Sequence, residues 1–171
     1  MSAGTVNRPP RALARTDGPA ASGSNLPARA VQELWFATLR RPWRSLVLVP
    51  TSPGSSALPL AQALARFGSF LRRQPVRILN GEGMGLQEIA ELTMELEFAK
   101  SAPPGTAEPA LCLIVLEPIT INPLATAVAL AADAVLLCVD YGESNLDVAR
   151  KTIEQIGPER FIGCVALKPR R

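Results

Sequence analysis

The chain contains 171 residues, of which 47% are hydrophobic, and it carries a formal net charge of +3 with no histidine. This length and apolar content predict one globular domain with a real hydrophobic core and argue against a second domain. The absence of histidine removes the usual near-neutral general base. The longest apolar stretch, Leu124–Val139, is interrupted by Thr126 and Asp133 and predicts a helix followed by a strand rather than a membrane span.

Charge is distributed unevenly along the sequence. Residues 1–81 contain eleven arginines but only Asp17 and Glu33 as acids, whereas residues 82–147 contain eleven acids against Lys100 alone. This asymmetry predicts basic and acidic surfaces on different sides of the molecule. It leaves two interpretations open: solvated faces, or a basic surface that binds an acidic protein or an anionic membrane face. Nucleic acid is not expected as a partner, because the eight aromatic residues lie mostly within apolar segments and form no evident stacking platform.

The first part of the chain predicts a flexible tail followed by the domain. Residues 1–24 are rich in Pro, Ala, Gly, Ser and Arg with little apolar periodicity, and they lack the apolar stretch of a secretory signal. The domain is expected to span residues 25–171. Its first helix has Asn25 as a plausible N-cap and is expected to bury one apolar face, made of Val31, Leu34, Trp35 and Leu39.

The next segment is a strand, a loop and a helix in the order that nucleotide-binding proteins use. An apolar run, Leu46–Val49, leads through the Pro/Ser/Gly-rich loop Pro50–Ser56 into an amphipathic helix with Pro59 near its first turn. Such a loop aims backbone N–H groups and a helix N-terminus at one spot, as phosphate-binding loops do. A working loop also needs a lysine for the phosphates and a hydroxyl for Mg²⁺. The equivalent positions are Ala57 and Leu58, and no lysine precedes Lys100.

Strands and helices continue to alternate through the rest of the chain. Apolar strands that alternate with helices indicate a parallel sheet covered on both faces. Right-handed crossovers then predict an α/β doubly wound sheet, a three-layer sandwich whose functional edge lies at the carboxyl ends of the strands. The predicted strands are Val76–Leu79, Leu111–Leu116, Ala134–Val139 and Phe161–Leu167; the predicted helices are Leu86–Ala99, Pro123–Ala132 and Asn145–Ile156; and residues 101–110 are expected to form an exposed loop.

The cysteines and the acids after the strands give no metal site. Cys112, Cys138 and Cys164 each lie inside an apolar run without CxxC spacing, and are interpreted as buried thiols in a reducing compartment. Converging carboxylates after strands could bind metal or act as acid and base. Acids in loops are more often solvated, however, so no catalytic residue and no metal ligand is expected; the acids concerned are Glu82, Glu117 and Asp140.

Several motifs together resemble those of one family. The loop keeps Pro53 and Gly54 of the pattern TSxxPGEGKTTTAxNLA, with Ser55 and Ser56 in place of its Glu and Gly, Ala57 in place of its Lys and Leu58 in place of its Thr. Downstream, GLQEI resembles the family's GLSEV, AADAVLLCVDYGES resembles ADGVLLVVRAGxT, and FIGCVAL resembles IVGVVLN. The family is the P-loop ATPase domain of the bacterial tyrosine kinases of capsule and exopolysaccharide export, relatives of the Par and Min partition ATPases.

The chain departs from this family wherever the family's chemistry resides. The ExxRxxR oligomerisation pattern fails after Glu33, and the IDxD that ends the family's second strand is replaced by the run from Leu79 to Glu82. The position of the acid that ends the family's third strand is occupied here by Leu116 or Glu117, depending on the alignment. Tyr141 is the single tyrosine, so the family's C-terminal tyrosine cluster is missing.

The resemblance therefore implies a pseudo-kinase or pseudo-ATPase that acts through protein contacts and needs no cofactor. It implies a cytoplasmic component of exopolysaccharide or capsule export at the inner face of the inner membrane. Its partner would be an inner-membrane chain-length or export protein, through which it associates peripherally with the membrane, and self-association is a further expectation. The expected interaction surface is Arg40, Arg41 and Arg44, and the expected vestigial phosphate loop is Thr51, Ser52, Pro53, Gly54, Ser55, Ser56, Ala57 and Leu58.

Two alternatives remain open at this point. The first is an active ATPase or tyrosine kinase with an atypical loop. The second is an unrelated flavodoxin-like module that binds an anion or small molecule through the loop hydroxyls and the helix N-terminus. If the second alternative holds, the loop hydroxyls bind a ligand. If it does not, these hydroxyls only cap the helix and close a turn. The hydroxyls concerned are those of Thr51, Ser52, Ser55 and Ser56.

Overall fold

The structure is a computed structural model and describes residues 27–101, 110–142 and 145–167. The predicted tail 1–24, the predicted Asn25 cap and most of the predicted loop 101–110 lie outside these residues. The described elements, in chain order, are α1 (Ala28–Thr38), β1 (Ser45–Pro50), α2 (Leu58–Arg72), β2 (Arg77–Asn80), α3 (Leu86–Ser101), β3 (Cys112–Val115), α4 (Ala125–Ala131), β4 (Ala134–Asp140), α5 (Leu146–Ile156) and β5 (Phe161–Leu167), with a 3₁₀ turn at Pro158–Arg160.

The strands form one sheet in the order β2-β3-β1-β4-β5, and every neighbouring pair is parallel. This confirms the predicted doubly wound α/β fold. It also excludes the flavodoxin-like alternative as a fold, because that architecture places β1 between β2 and β3. Here β3 lies between β1 and β2 instead.

The sheet separates two hydrophobic cores. Leu46 and Leu48 of β1 contribute to the core beneath α1 and α2. Val47 and Val49 contribute to the core on the other face, beneath α3, α4 and α5. All six residues of β1 are buried, because side chains alternate between faces and both faces of this central strand are covered.

Helix α1 packs on α2, with Trp35 of α1 against Gly68 of α2. Trp35 is fully buried, and its ring meets that of Trp43 edge-on at 6.0 Å. Val31 is buried as predicted, but the prediction for Leu39 was wrong, since this side chain is 42% exposed. The helix ends at Thr38, so Leu39 leaves the apolar face, and the Thr38 side chain is buried there while its hydroxyl donates to the Trp35 carbonyl.

The two helical layers differ in charge, in the direction that the sequence predicts. Helix α2 carries Arg66 and Arg72, both exposed, and contains no acid. On the other face of the sheet, α3 presents four exposed glutamates against Lys100, namely Glu88, Glu91, Glu95 and Glu97.

The cysteines are not equally buried. Cys138 is buried in β4, but Cys112 is half-buried and Cys164 is exposed, so the prediction of three buried thiols was wrong for Cys164. Cys164 belongs to β5, which pairs with β4 alone among the described strands. Strand β5 therefore has the apolar composition of a buried strand, but as an edge strand it is less completely covered by its neighbours.

Candidate functional site

The loop Thr51–Ala57 lies at the carboxyl end of β1, where an open α/β sheet binds its ligands. Helix α2, which follows β1, contributes to one core, whereas the helices that follow the neighbouring strands β3 and β4 contribute to the core on the opposite face. This change of face makes a crevice outside the strand ends. The crevice lies at the strand ends where the sequence analysis expects the functional edge.

Internal hydrogen bonds hold the loop in a compact turn. The backbone N–H of Thr51 donates to the Cys138 carbonyl at 3.0 Å, and the Thr51 hydroxyl reaches the same oxygen at 3.4 Å, which ties the loop to β4. Ser55 N–H donates to the Ser52 carbonyl at 3.1 Å. Gly54 has φ +77°, a left-handed conformation that favours glycine.

The start of α2 offers few N–H groups to an anion. The Ser56 hydroxyl accepts a hydrogen bond from Leu58 N–H at 3.2 Å, and Pro59 has no N–H to donate. Ala61 N–H already donates to the Ala57 carbonyl at 2.9 Å. A phosphate held at a helix N-terminus needs several free donors in the first turn. For Ser56, this arrangement favours the capping role over an anion-binding role.

The two positions at which a phosphate loop has its reactive side chains belong to the hydrophobic core. Ala57 is 0% exposed within the core beneath α1 and α2, and Leu58 packs against the same cluster. A lysine at position 57 would therefore place its first methylenes among apolar neighbours such as Leu60 and Ala61.

The acids after the strands do not gather into a metal site. The Asn80 side chain accepts a hydrogen bond from Glu82 N–H at 3.1 Å and so closes the turn after β2. Glu117 is contacted by the Asn122 amide at 3.4 Å. Asp140 is the buried last residue of β4 rather than a solvated loop residue, so that interpretation of Asp140 was wrong. Within the described ranges, no group of three or more Cys, Asp or Glu side chains could hold a metal ion.

The three arginines of the expected interaction surface point to different parts of the domain. Arg41 donates from its guanidinium to the Glu159 carbonyl before β5. Arg44 donates to the Ala99 carbonyl near the end of α3 at 3.4 Å, and its backbone N–H donates to the Asp133 carboxylate at 2.8 Å. Among the described residues, Arg40 makes no side-chain hydrogen bond or ion pair and is exposed. All three are exposed, and of the three guanidinium groups those of Arg41 and Arg44 contact backbone carbonyls of other elements.

A cavity of about 540 Å³ lies at the opposite edge of the sheet, and sequence reasoning did not find it. Polar and charged side chains at or just before the starts of four strands, β1 to β4, and in the second half of α3 line part of it. No local motif could reveal the cavity, because its lining comes from segments far apart in sequence. These side chains include Arg44, Arg77, Glu95, Lys100, Cys112 and Asp133.

The aromatic residues are more exposed than their apolar surroundings suggested. Phe36, Phe70, Phe98 and Tyr141 are each more than half exposed, although they were expected mostly inside apolar segments. They belong to α1, α2, α3 and the turn after β4. None of the described helices is both long and apolar enough to cross a membrane.

Comparisons with known proteins identify the fold. No model of a known protein family matches the sequence, and no curated protein matches it either. The structure is similar to the solved kinase domain of the Escherichia coli tyrosine kinase ETK, with a TM-score of 0.59 and 12% sequence identity; the match covers 84% of this chain and 77% of that one. At this identity the likeness establishes a shared three-layer α/β architecture, in agreement with the strand order and the resemblance of the motifs.

Proposed function

We propose that this chain is a protein-binding relative of the bacterial tyrosine kinase domains that does not turn over ATP. It acts in the cytoplasm as a component of exopolysaccharide or capsule export. It docks at the inner face of the inner membrane on a chain-length or export protein, and its membrane association is peripheral and runs through that partner.

The burial of Ala57 carries the non-catalytic part of the proposal. Phosphoryl transfer depends almost wholly on positioning and on charge neutralisation. The position of the phosphate lysine holds a methyl group that is 0% exposed, and the next position, where the family holds Mg²⁺ with a hydroxyl, holds the half-buried Leu58. At the end of β2, where the family has an acid, this chain has Asn80, whose side chain closes the turn by accepting a hydrogen bond from Glu82 N–H. These features act together, so repairing one would leave the others.

The link to polysaccharide export rests on the fold and the motifs. The structural neighbour is a tyrosine kinase domain, and the motifs PG, GLQEI, AADAVLLCVDYGES and FIGCVAL occur in the order that the kinases of capsule and exopolysaccharide export use. A domain that keeps this architecture without its reactive groups is suited to binding one of the family's protein partners.

Charge supports an acidic partner segment. Arg40 is exposed, and within the part of the chain that the structure describes its side chain makes no hydrogen bond or ion pair; it lies on the connection between α1 and β1, which also carries Arg41 and Arg44. Arginine suits planar, bidentate contacts with carboxylates at interfaces. We therefore place the docking surface on this connection, with Arg40 as its centre.

Two measurements on the full chain test the proposal. Calorimetric titration with ATP·Mg²⁺ tests the loss of nucleotide chemistry. Co-purification with an inner-membrane chain-length or export protein, in the wild type and in a charge-reversal variant of the three arginines, tests the docking surface. Titration with inorganic phosphate tests the remaining alternative, an anion-binding module, which predicts saturable heat that is lost when Ser55 and Ser56 are both changed to alanine.

A further inference from the structure

The cavity of about 540 Å³ lies where the amino ends of three strands meet the second half of α3. In the register of the sheet, Arg77 of β2, Cys112 of β3 and Ser45 of β1 are side by side. Cys112 packs against the core beneath α3, α4 and α5, and so do Leu79 and Val47, two residues after Arg77 and Ser45. Because residues two apart on a strand share a face, all three side chains are directed to the α3 face of the sheet.

Much of the cavity lining is apolar. Leu92 and Leu96 of α3, Leu79 of β2 and Trp43 contribute to it, and all of these except Leu79 are buried. Sites for small molecules are clefts of about 300–1,000 Å³, lined mostly by apolar side chains with a few polar groups that orient the ligand. The size and lining of this cavity fit that pattern, and every lining residue belongs to the described part of the chain.

Hydrogen bonds hold one wall of the cavity in place. The Oδ2 atom of Asp133 accepts from the backbone N–H groups of Arg44 and Ser45 at 2.8 and 2.9 Å, and from the Ser45 hydroxyl at 3.0 Å. The same hydroxyl accepts from Asp133 N–H at 3.0 Å. The segment before β4 is thereby fixed to the start of β1. A wall that is fixed before binding lowers the entropic cost of holding a ligand.

Two charged side chains of the lining, those of Arg77 and Glu95, have no fixed partner. Within the described ranges, neither takes part in a hydrogen bond or an ion pair. The other charged side chains of the lining each contact another described residue. Burial raises the pKa of the Cys112 thiol, while Arg77 lowers it and Glu95 raises it, so both charges act on this thiol in the cavity. The Arg77 guanidinium is therefore available to a ligand.

We propose that this cavity binds a small amphipathic carboxylic acid, with its carboxylate on Arg77 and its apolar part against Leu92 and Leu96. The planar guanidinium of arginine suits bidentate contact with a carboxylate. The lining has three cationic and two anionic side chains, so its single net positive charge suits one carboxylate better than a doubly charged phosphate. Each methylene that the apolar side chains cover adds affinity.

This inference is independent of the proposed function, because it concerns the amino ends of the strands and neither nucleotide nor a protein partner. Arg44 belongs both to the cavity and to the proposed docking surface. The variants that test the cavity therefore leave Arg44 unchanged.

Protection of Cys112 by octanoate tests the proposal on the full chain. The Cys164→Ser protein lacks the exposed thiol, and Cys138 is buried, so among the described cysteines a water-soluble maleimide should react chiefly with the half-buried Cys112. Octanoate in the cavity covers Cys112 and should slow this reaction saturably. 1-Octanol, which has the same chain without the charge, should need a concentration about tenfold higher or more for half-protection.

Three variants in this background locate the binding site. Arg77→Gln should raise the half-protecting concentration of octanoate about tenfold or more, because the charge-assisted contact with the carboxylate is lost. The matched control Arg72→Gln removes an exposed arginine from α2, on the other face of the sheet, and should leave that concentration unchanged. Ala99→Phe adds a ring to the cavity lining without changing its charge and should abolish protection.

No saturable protection by octanoate up to about 10 mM would overturn the proposal, whether the cavity stays empty or another segment of the chain fills it. Equal half-protecting concentrations for octanoate and 1-octanol, or for the parent protein and Arg77→Gln, would also overturn it, because Arg77 would then not bind the carboxylate. Protection by inorganic phosphate at the same concentrations would do so too, since the site would then need no apolar part. Circular dichroism and the thermal midpoint establish that each variant is folded. If Ala99→Phe is unfolded, Arg77→Gln, whose side chain is exposed, decides the question.

Discussion

The ring of Trp35 lies directly against the backbone of Gly68, so closely that a Cβ on Gly68 would come 2.2 Å from Cη2 of the indole. This contact sets the distance between α1 and α2. Gly68→Ala should lower the free energy of unfolding by about 1–2 kcal/mol. Three indole carbons would lie within 2.5 Å of the new Cβ, so the overpacking cost should fall in the upper half of the usual range of about 1–3 kcal/mol, and it is reduced by the roughly 1 kcal/mol that alanine gains over glycine within a helix. Chemical denaturation measures the difference.

A glycine in an open place provides the control for this prediction. A Cβ on Gly85 would meet its nearest neighbour, a Glu88 carboxylate oxygen, at 3.9 Å, which is an ordinary contact. Gly85→Ala should therefore change stability by less than about 0.5 kcal/mol. A neutral or stabilising Gly68→Ala would mean that the indole moves aside easily, and the close contact would not define the packing of α1.

Restoring the family's lysine should damage the fold rather than revive the chemistry. Ala57→Lys forces the first methylenes of a long side chain into the packed core beneath α1 and α2, where overpacking costs about 1–3 kcal/mol. The double variant Ala57→Lys, Leu58→Thr should release no phosphate from ATP. Pro53→Lys adds the same charge to an exposed position of the same loop and should change stability by less than about 1 kcal/mol. Steady phosphate release by the double variant would contradict this account of the loop.

Reversing the charge of the docking surface should abolish partner binding without unfolding the domain. The triple change of Arg40, Arg41 and Arg44 to Glu should eliminate co-purification and shift the thermal midpoint little, since these side chains are exposed and such contacts contribute less than about 1 kcal/mol each. The matched control changes Arg66, Arg150 and Lys151 to Glu, which alters the net charge equally on α2 and α5. Equal loss of binding in both variants would indicate a general charge effect, and a collapse in stability of the first would make its arginines structural.

The buried thiol of Cys138 should make stability fall above pH 9. Burial, with smaller contributions from Cys164 and Asp140, raises the pKa of this thiol far above its usual value near 9. The folded state therefore keeps a proton that the unfolded state loses, and the stability present below pH 9 declines as pH rises toward the folded-state pKa. The slope for one such thiol approaches 1.4 kcal/mol per pH unit. Cys138→Ala should lose that part of the slope in urea denaturation at several pH values, and parallel profiles for the two proteins would contradict the prediction.

The sequence predicts the elements well because each has a local signal. The run Leu46–Val49 is apolar enough to be buried on both faces, and the structure places it at the centre of the sheet. The predictions that failed depend on where a segment lies in the tertiary structure. FIGCVAL is as apolar as a central strand, but only the strand order reveals that it is an edge and that Cys164 is exposed.

The candidate site likewise has features that are visible in the sequence and features that only the structure shows. That Ala57 replaces a lysine is visible in the sequence, because the loop is framed by Pro53, Gly54 and the helix that follows. That the Ala57 side chain is buried in the core depends on the path of the backbone around Ser55 and Ser56, which no local pattern specifies. The cavity near Arg44 and Arg77 is assembled from distant segments and left no trace in the sequence.

Calorimetric titration of the full chain with ATP·Mg²⁺ tests the central claim most directly. Losing one partner of a close charge pair costs about 2–5 kcal/mol, and each 1.4 kcal/mol is about tenfold in affinity, so the missing lysine alone could turn micromolar binding into millimolar. The account predicts no saturable heat below about 1 mM nucleotide. A micromolar dissociation constant that depends on Mg²⁺ would contradict it and would make this chain a nucleotide-binding protein with an unusual loop.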